Sequence, residues 1–583
     1  MIPYINTPFA YVGDALGTSA DELKLVFSFY LSYPLAAVLK RIPDKEPWKK
    51  NAFIVAVGIF YFVGLFDLWS GLRTIFISAG GAYLISSKIK SPYMPWIGFV
   101  FLMGHMSINH IHRQLLDDPS VVDVSGAQMV MIMKLTAFCW NVQDGRLPES
   151  ELSEFQKEHA IRTMPSILDY AGYVLFFPGL MGGPAFDYCD YSQYISTTMF
   201  TLPPGTDPSQ APPTRKKRKI PRSGTPAAIK AFFGTVWIFL FLQFSGMYNT
   251  ELLLGDKFMT YWFPRRVWIL YMFGLTTRMK YYGVWNLSEG ACILSGIGYN
   301  GLDPATGRAK WDRLTNIKPM EIEFAQNTRA YLGSWNINTN LWLRNYMYLR
   351  VTPRGQKPGF QATLATFVTS AFWHGFYPGY YLAFVLASFL QTIAKNGRRL
   401  VRPLFMTPDG KSPLPSKKYY DIFTFFLTQA AFAFTVCPFV ILSFSGSLKV
   451  WTRVYLYTLV CTALFFALFS RSLPFRAYLT KLQQSRQPPT PATPAVDVKG
   501  IEKVAREELE RERLLQKDSY EGDVTHRGAP TLGLPEDPEA EIDEIVQQVK
   551  REIEERKRRG SLVQGFDVKK AVQQKFKEFQ KKS

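Results

Sequence analysis

Residues 371–381 read Ala-Phe-Trp-His-Gly-Phe-Tyr-Pro-Gly-Tyr-Tyr, in the middle of an apolar run that spans 362–394. As one helix those 33 residues would be about 50 Å long, more than half as long again as the ~30 Å hydrocarbon core of a bilayer. Gly375, Pro378 and Gly379 predict a break or a kink close to mid-membrane depth. Irregular backbone at that depth survives only where it is buried in protein or lines a cavity. His374 stands at the break. An imidazole beside such a cavity is a natural proton acceptor near neutral pH. A core histidine bonded to a backbone carbonyl is the equal alternative on position alone.

Outward from that run, further apolar stretches occupy 23–39, 52–69, 72–89, 95–111, 126–140, 167–181, 227–247, 267–283, 285–297, 420–444 and 450–469. They predict an all-α, polytopic transmembrane helical bundle of about 11 membrane helices, some broken or re-entrant. The mean hydropathy near zero looks soluble, but it pools two unlike parts. Residues 471–583 hold 23 Lys and Arg against 20 Asp and Glu, while the first 470 carry 44 against 27. The expected organisation is therefore an N-terminal segment (1–22), a membrane domain (23–470) and a charged, helical or disordered tail (471–583). The opening residues lack a basic stretch and a cleavable signal pattern, so the first apolar run is expected to remain.

Charge placement gives the orientation. Arg215-Lys216-Lys217-Arg218-Lys219 lies in the Pro-rich loop 202–226, and seven further Lys and Arg lie in 395–418. Both loops read as cytosolic, and two later spans return the tail to that side. Basic residues at the ends of apolar runs suit an anionic membrane face and argue against a nucleic-acid partner. The tail carries Ile542, Ile545, Val546, Val549 and Ile553 at helical spacing, which suits a partner helix as well as a solvated single helix. Five scattered cysteines without a C-x-x-C spacing argue against disulfide, zinc and redox roles.

The segment 335–348, Trp-Asn-Ile-Asn-Thr-Asn-Leu-Trp-Leu-Arg-Asn-Tyr-Met-Tyr, packs amides between aromatics. On one continuous helix Asn336, Asn340, Arg344 and Tyr348 form an i, i+4 stripe, suited either to a wet cleft or to a membrane interface. An amide in a cleft can donate to a carbonyl that becomes an oxyanion. His105, His110 and His112 look like a metal cluster, but 110 and 112 point about 200° apart on a helix. They read as the polar end of a span, with no metal site. His159 falls in a charged, solvated segment. Lys134, in mid-span, requires a partner such as a nearby carboxylate.

The pair W-N-I-N-T-N-x-W-L (335–343) and S-A-F-W-H-G-F-Y-P-G-Y-Y (370–381) resembles the signature of the membrane-bound O-acyltransferase family, in its lysophospholipid acyltransferase branch. Three earlier blocks are similar to that branch too: Asp123–Met129 with Lys134, Asn141, Asp144 and Gly145; Pro178–Pro184 with Phe186, Asp187 and Tyr188; and Trp285–Gly290. The likeness covers about 20–470, and the opening and the tail suggest a fungal member.

The resemblance implies acyl transfer from acyl-CoA, a co-substrate, to the free hydroxyl of a lysophospholipid in the endoplasmic reticulum membrane, with membrane lipids around it and no resident cofactor or metal. His374 would be the general base, and Asn336 would position the thioester carbonyl. Arg344, Arg350, Arg354 and Lys357, with Ser370 and Tyr348, are candidates for the CoA phosphates, though ordinary positive-inside charge explains the cations equally well. Asn338 and Asn340 extend the substrate-binding set. Trp335, Trp342, Trp373 and Tyr377 would shape the pocket, and Glu289 would line the acceptor path. Related acyltransferases acting on sterol, diacylglycerol or protein are one alternative. A transporter is another, because broken helices with polar midplanes also build transporters.

Overall fold

The computed structural model describes residues 5–16, 19–116, 123–202, 212–215, 217–303, 306–352, 360–407, 412–469 and 474–486. All regular structure among them is helical, with three isolated backbone bridges in loops. The N-terminal part runs α1 (Asn6–Leu16), α2 (Ala20–Leu39), α3 (Pro47–Ile59), α4 (Trp69–Lys88), α5 (Met94–Leu116) and α6 (Ser125–Asp144). Short helices follow: α7 (Glu154–His159), α8 (Ile167–Val174) and α9 (Tyr188–Ile195). Next come α10 (Gly224–Ser245), α11 (Thr250–Leu254), α12 (Phe263–Ser295), α13 (Pro319–Glu323), α14 (Thr328–Gly333) and α15 (Ile337–Leu343). The remainder is α16 (Phe360–His374), α17 (Pro378–Leu400), α18 (Lys417–Ile441), α19 (Phe444–Arg453), α20 (Tyr457–Leu468) and α21 (Pro474–Ser485).

Among the described residues four helices combine the length and apolarity needed to cross a membrane: Ala20–Leu39, Pro47–Leu65, Gly224–Leu254 and Lys417–Ile441. The pair α19 and α20, bent by 78°, makes a fifth if it counts as one span. Four expected spans come out differently. Stretches 267–283 and 285–297 fuse into the 33-residue α12, because Gly283 alone is too weak a breaker once both sides are packed. Stretch 167–181 yields only the eight-residue α8, which ends before a 3-10 turn through Pro178. Stretch 450–469 is divided between the bent helices α19 and α20.

Helix α12 is the axis of the molecule, buried along most of its length and crossed by α2, α10 and α18. Its seam with α10 is built from small residues. The only buried residues of α10 are Ala227 and Gly234, seven apart, and they meet Gly290 and Gly283, also seven apart. A Cβ on Gly283 would lie 2.5–2.6 Å from the Ile238 side chain, and one on Gly234 would lie 2.8 Å from Leu287. The two backbones therefore touch, as small-residue seams between membrane helices allow. The opposite face of α10 points outward, with Ile229, Phe232, Phe233, Phe239 and Leu242 exposed, as a lipid-facing helix requires.

Helix α6, by contrast, is buried on all sides between α4, α5 and later elements. Lys134, at its centre, has no carboxylate partner among the described residues. Its ammonium donates to the Tyr173 carbonyl and lies over the rings of Tyr173 (4.4 Å) and Phe186 (4.5 Å). A carbonyl dipole and two π faces replace the expected counter-charge.

Gly283→Leu should lower the thermal stability of the detergent-solubilised protein by about 2 kcal/mol, the scale of an overpacked core. Phe239→Leu, on the outward face of α10, should leave the melting temperature unchanged.

Candidate active site

The break at 375–377 is sharply built. Helix α16 ends on His374, and Gly375 follows with φ 121°, a left-handed position that favours glycine. Its N–H donates back to the carbonyls of Ala371 (3.2 Å) and Phe372 (3.1 Å). Pro378 then occupies the first turn of α17, where its missing N–H costs nothing. Gly379 donates to the Leu442 carbonyl at 2.8 Å, and any Cβ there would collide with the Pro438 carbonyl oxygen. The start of α17 thus rests directly on the end of α18.

His374 lies in a collar of rings: Trp373 (4.7 Å between centroids), Phe439 (4.9 Å), Phe384 (5.2 Å) and Tyr380 (5.5 Å). It is partly exposed, and its ring nitrogens make no hydrogen bond among the described residues. The core-histidine alternative describes a different residue. His110 of α5 is buried, and its Nε2 donates to the Trp373 carbonyl at 3.1 Å, immediately before His374. That carbonyl lies in the last turn of α16, where helix carbonyls have no intrahelical donor. The three nearby histidines do face different ways: His105 meets Ser78 Oγ at 2.9 Å, and His112 is exposed.

Asn336 sits just before α15 with φ 44° and ψ 54°, a left-handed conformation that asparagine tolerates better than most residues. The expected continuous stripe does not form, because Asn336 is outside the helix and Arg344–Tyr348 turn as a wider π-helix. The three amides also divide. Asn340 donates to the carbonyls of Leu332 and Trp335, both at 2.9 Å. Asn338 is clamped to Asn316 through its side chain (3.1 Å) and its backbone N–H (3.0 Å). Asn336 accepts from Thr339 Oγ1 at 2.9 Å, while its own Nδ2 donates to none of the described residues. Of the three, only its amide hydrogens are uncommitted.

Helix α6 holds both segments. Trp373 Nε1 donates to the Met129 carbonyl (3.0 Å) and Trp342 Nε1 to Thr136 Oγ1 (2.8 Å), and Thr339 Oγ1 lies against Met133 Sδ at 3.2 Å. Farther along, Tyr346 donates to Asn141 Oδ1 (3.0 Å), and Arg350 pairs with both Asp144 oxygens (2.8 and 2.5 Å). From Thr339 to Arg350 each partner lies 205 or 206 residues beyond its mate on α6, so the two segments run parallel in a fixed register. Trp342 and Trp373, 6.0 Å apart, close the triangle. Arg350 also covers the Trp140 ring at 4.5 Å.

The other candidates have mixed locations. Trp335 packs with Tyr281, Tyr282 and Trp285 at 5.2–6.2 Å, Tyr377 meets Tyr380 at 6.1 Å, and Ser370 is buried in α16. Arg344 and Tyr348 are half-buried in the π turn. Glu289 is buried in α12, paired with Lys230 (3.0 Å) and accepting from Thr315 (2.7 Å). Arg354 and Lys357 lie outside the described residues, as does the tail beyond 486. The segment of His159 is solvated, with Glu154, Lys157 and Glu158 exposed, but its ring turns inward: it stacks on Phe155 and meets Asp187 at 3.4 Å, beside Tyr346. The roles of His110 and Asn316 are not legible in local sequence, because their partners lie 263 and 22 residues away and neither forms a local motif.

A family model described as MBOAT, membrane-bound O-acyltransferase family, matches residues 121–436, which contain the break, the amide segment and all of α6. The chain belongs to this family. It is similar to a lysophospholipid acyltransferase of Schizosaccharomyces pombe, 43% identical over 83% of this chain and 92% of the relative. A lysophospholipid acyltransferase of Saccharomyces cerevisiae is 42% identical over 81% of this chain and 77% of the relative. The human membrane-bound glycerophospholipid O-acyltransferase 2 is 30% identical over 70% of this chain and 77% of the relative. The likeness to fungal members agrees with the expectation from the sequence.

His110→Phe keeps the ring volume and removes the donor to Trp373. It should lower acyl transfer about tenfold, the worth of one well-placed buried hydrogen bond. His110→Gln should recover part of the loss in the same CoA-release assay.

Proposed function

We propose that this chain is an acyl-CoA-dependent lysophospholipid acyltransferase with His374 as general base and Asn336 as carbonyl donor. The observation that carries the assignment of groups is that the ring nitrogens of His374 and the amide nitrogen of Asn336 are uncommitted among the described residues, while the neighbouring His110, Asn338 and Asn340 are tied to other groups. The named relatives supply the substrate class, a lysophospholipid.

In the proposed reaction a ring nitrogen of His374 takes the proton of the acceptor hydroxyl as its oxygen attacks the thioester carbonyl carbon. The Asn336 amide donates to the carbonyl oxygen as charge develops on it. The carbon–sulfur bond then breaks, and the departing thiolate of CoA recovers the proton from His374. A thioester already has a good leaving group, so the route requires no covalent enzyme intermediate and no resident cofactor. The aromatic collar gives apolar tails a surface to pack on beside the imidazole. Arg344 is the described cation of the amide segment that suits the CoA phosphates.

The same reading places the protein in the endoplasmic reticulum membrane with a cytosolic C-terminus. It holds about eleven crossings within 23–470, several of them by helices buried inside the protein, and a tail open to a protein partner.

His374→Ala should reduce CoA release from acyl-CoA plus lysophospholipid by about 10³-fold, with an unchanged melting temperature. Normal turnover in that variant would remove the base. Asn336→Ala should lower kcat by about 10²-fold at unchanged stability, whereas Asn340→Ala should act chiefly on stability.

A further inference from the structure

The basic run in loop 202–226 is more than a mark of orientation. Residues 212–215 and 217–223 form the two sides of a small hairpin, bridged between Thr214 and Pro221, with Arg222 N–H donating to the Pro213 carbonyl at 2.9 Å. The hairpin is fastened to the core at three points. Ile220 is buried against Gly296 at the end of α12, and Ser223 Oγ meets the Leu294 carbonyl at 3.4 Å. Lys40, at the end of α2, donates to the Pro221 carbonyl and to Ser223 Oγ.

This docking leaves a cavity of about 470 Å³ lined by Asp44, Lys45, Thr214, Arg215, Lys217, Arg218 and Lys219. The lone carboxylate is already satisfied: Asp44 Oδ1 pairs with Lys50 at 2.7 Å, and Oδ2 accepts the Lys219 N–H at 2.9 Å. Arg218 is bound to the carbonyls of Arg41 (2.7 Å) and Lys217 (3.0 Å). The side chains of Lys45, Arg215, Lys217 and Lys219 have no acceptor among the described residues. Four cations are thus held around one concavity by a backbone fixed elsewhere, and an anion there would relieve their mutual repulsion. The position of the cavity favours a lipid as the source of that anion. Asp44 and Lys45 lie in the turn joining α2 and α3, which belong to two of the four membrane-length spans, and such a turn lies at headgroup level.

We propose that this hairpin cavity binds the phosphate of an anionic lipid headgroup, at a site distinct from His374. A phosphomonoester fits best, because its charge is not offset by an attached amine and its oxygens can accept from several ammonium groups. The site ties the membrane surface to the end of α12, the helix on which α2, α10 and α18 are packed.

The test uses the full chain in a neutral detergent, titrated with dibutanoyl phosphatidic acid and followed by thermophoresis. Saturable binding is expected, and Lys45→Gln/Lys217→Gln should weaken it at least fivefold. Both positions are exposed, so the melting temperature should not change, and Lys45→Arg/Lys217→Arg should retain the affinity. Dibutanoyl phosphatidylcholine, CoA and inorganic phosphate are the comparison ligands. Weaker dependence of all three on the two lysines supports the headgroup. Equal or greater dependence for CoA or inorganic phosphate would assign the cavity to soluble phosphates instead. An absence of saturable binding, or equal affinity in the Gln variant, would overturn the site. Acyl transfer in neutral lipid should be the same in the wild type and the Gln variant, so this result is separable from the roles of His374 and Asn336.

Discussion

A helix that stops inside a membrane protein must find partners for the backbone groups it releases, because lipid offers none. That constraint organises the region around residue 374. Gly375 folds back onto α16, His110 reaches across from α5 to the Trp373 carbonyl, and Gly379 donates to the end of α18. Three separate elements are therefore committed to holding one short interruption. The side chain presented at the interruption is left without such ties, which is the condition for an imidazole to exchange protons with something that enters.

Helix α6 solves the companion problem of registering two segments distant in sequence. It is buried on every side, so its few polar acceptors are expensive unless used, and it offers them at 129, 133, 136, 141 and 144, one turn after another. The amide segment accepts this spacing by widening to a π turn at Arg344–Tyr348, where the offset changes from 206 to 205 and back. Turns of this kind inside helices are frequently found at functional sites. Here the wider turn keeps Tyr346 and Arg350 aligned with Asn141 and Asp144.

The parts of the molecule written in local chemistry were legible in the sequence. The Gly and Pro residues after His374 announce a helix end through φ restriction and a missing donor, and the apolar runs announce the helices. The fusion of 267–297 into one helix was not legible, since the packing of α2, α10 and α18 around it decides the matter. Nor was the roughly 206-residue alignment on α6, although the likeness of 123–145 to a family block pointed at that helix without giving its role. The role of His110 is hidden for the same reason: periodicity tells which face a residue occupies but not what covers that face. The sorting of Asn336 from Asn338 and Asn340 likewise depended on Asn316, Leu332 and Trp335, none of them part of the stripe.

The collar around His374 has one more consequence. Its walls are rings, and none of the described residues offers the imidazole a hydrogen-bonded neighbour through which a proton could leave sideways. Under the proposed chemistry the enzyme is then a closed circuit. The proton lifted from the acceptor returns to the departing thiolate, so each turnover balances its charge between the two substrates and draws no net proton from the bulk solvent.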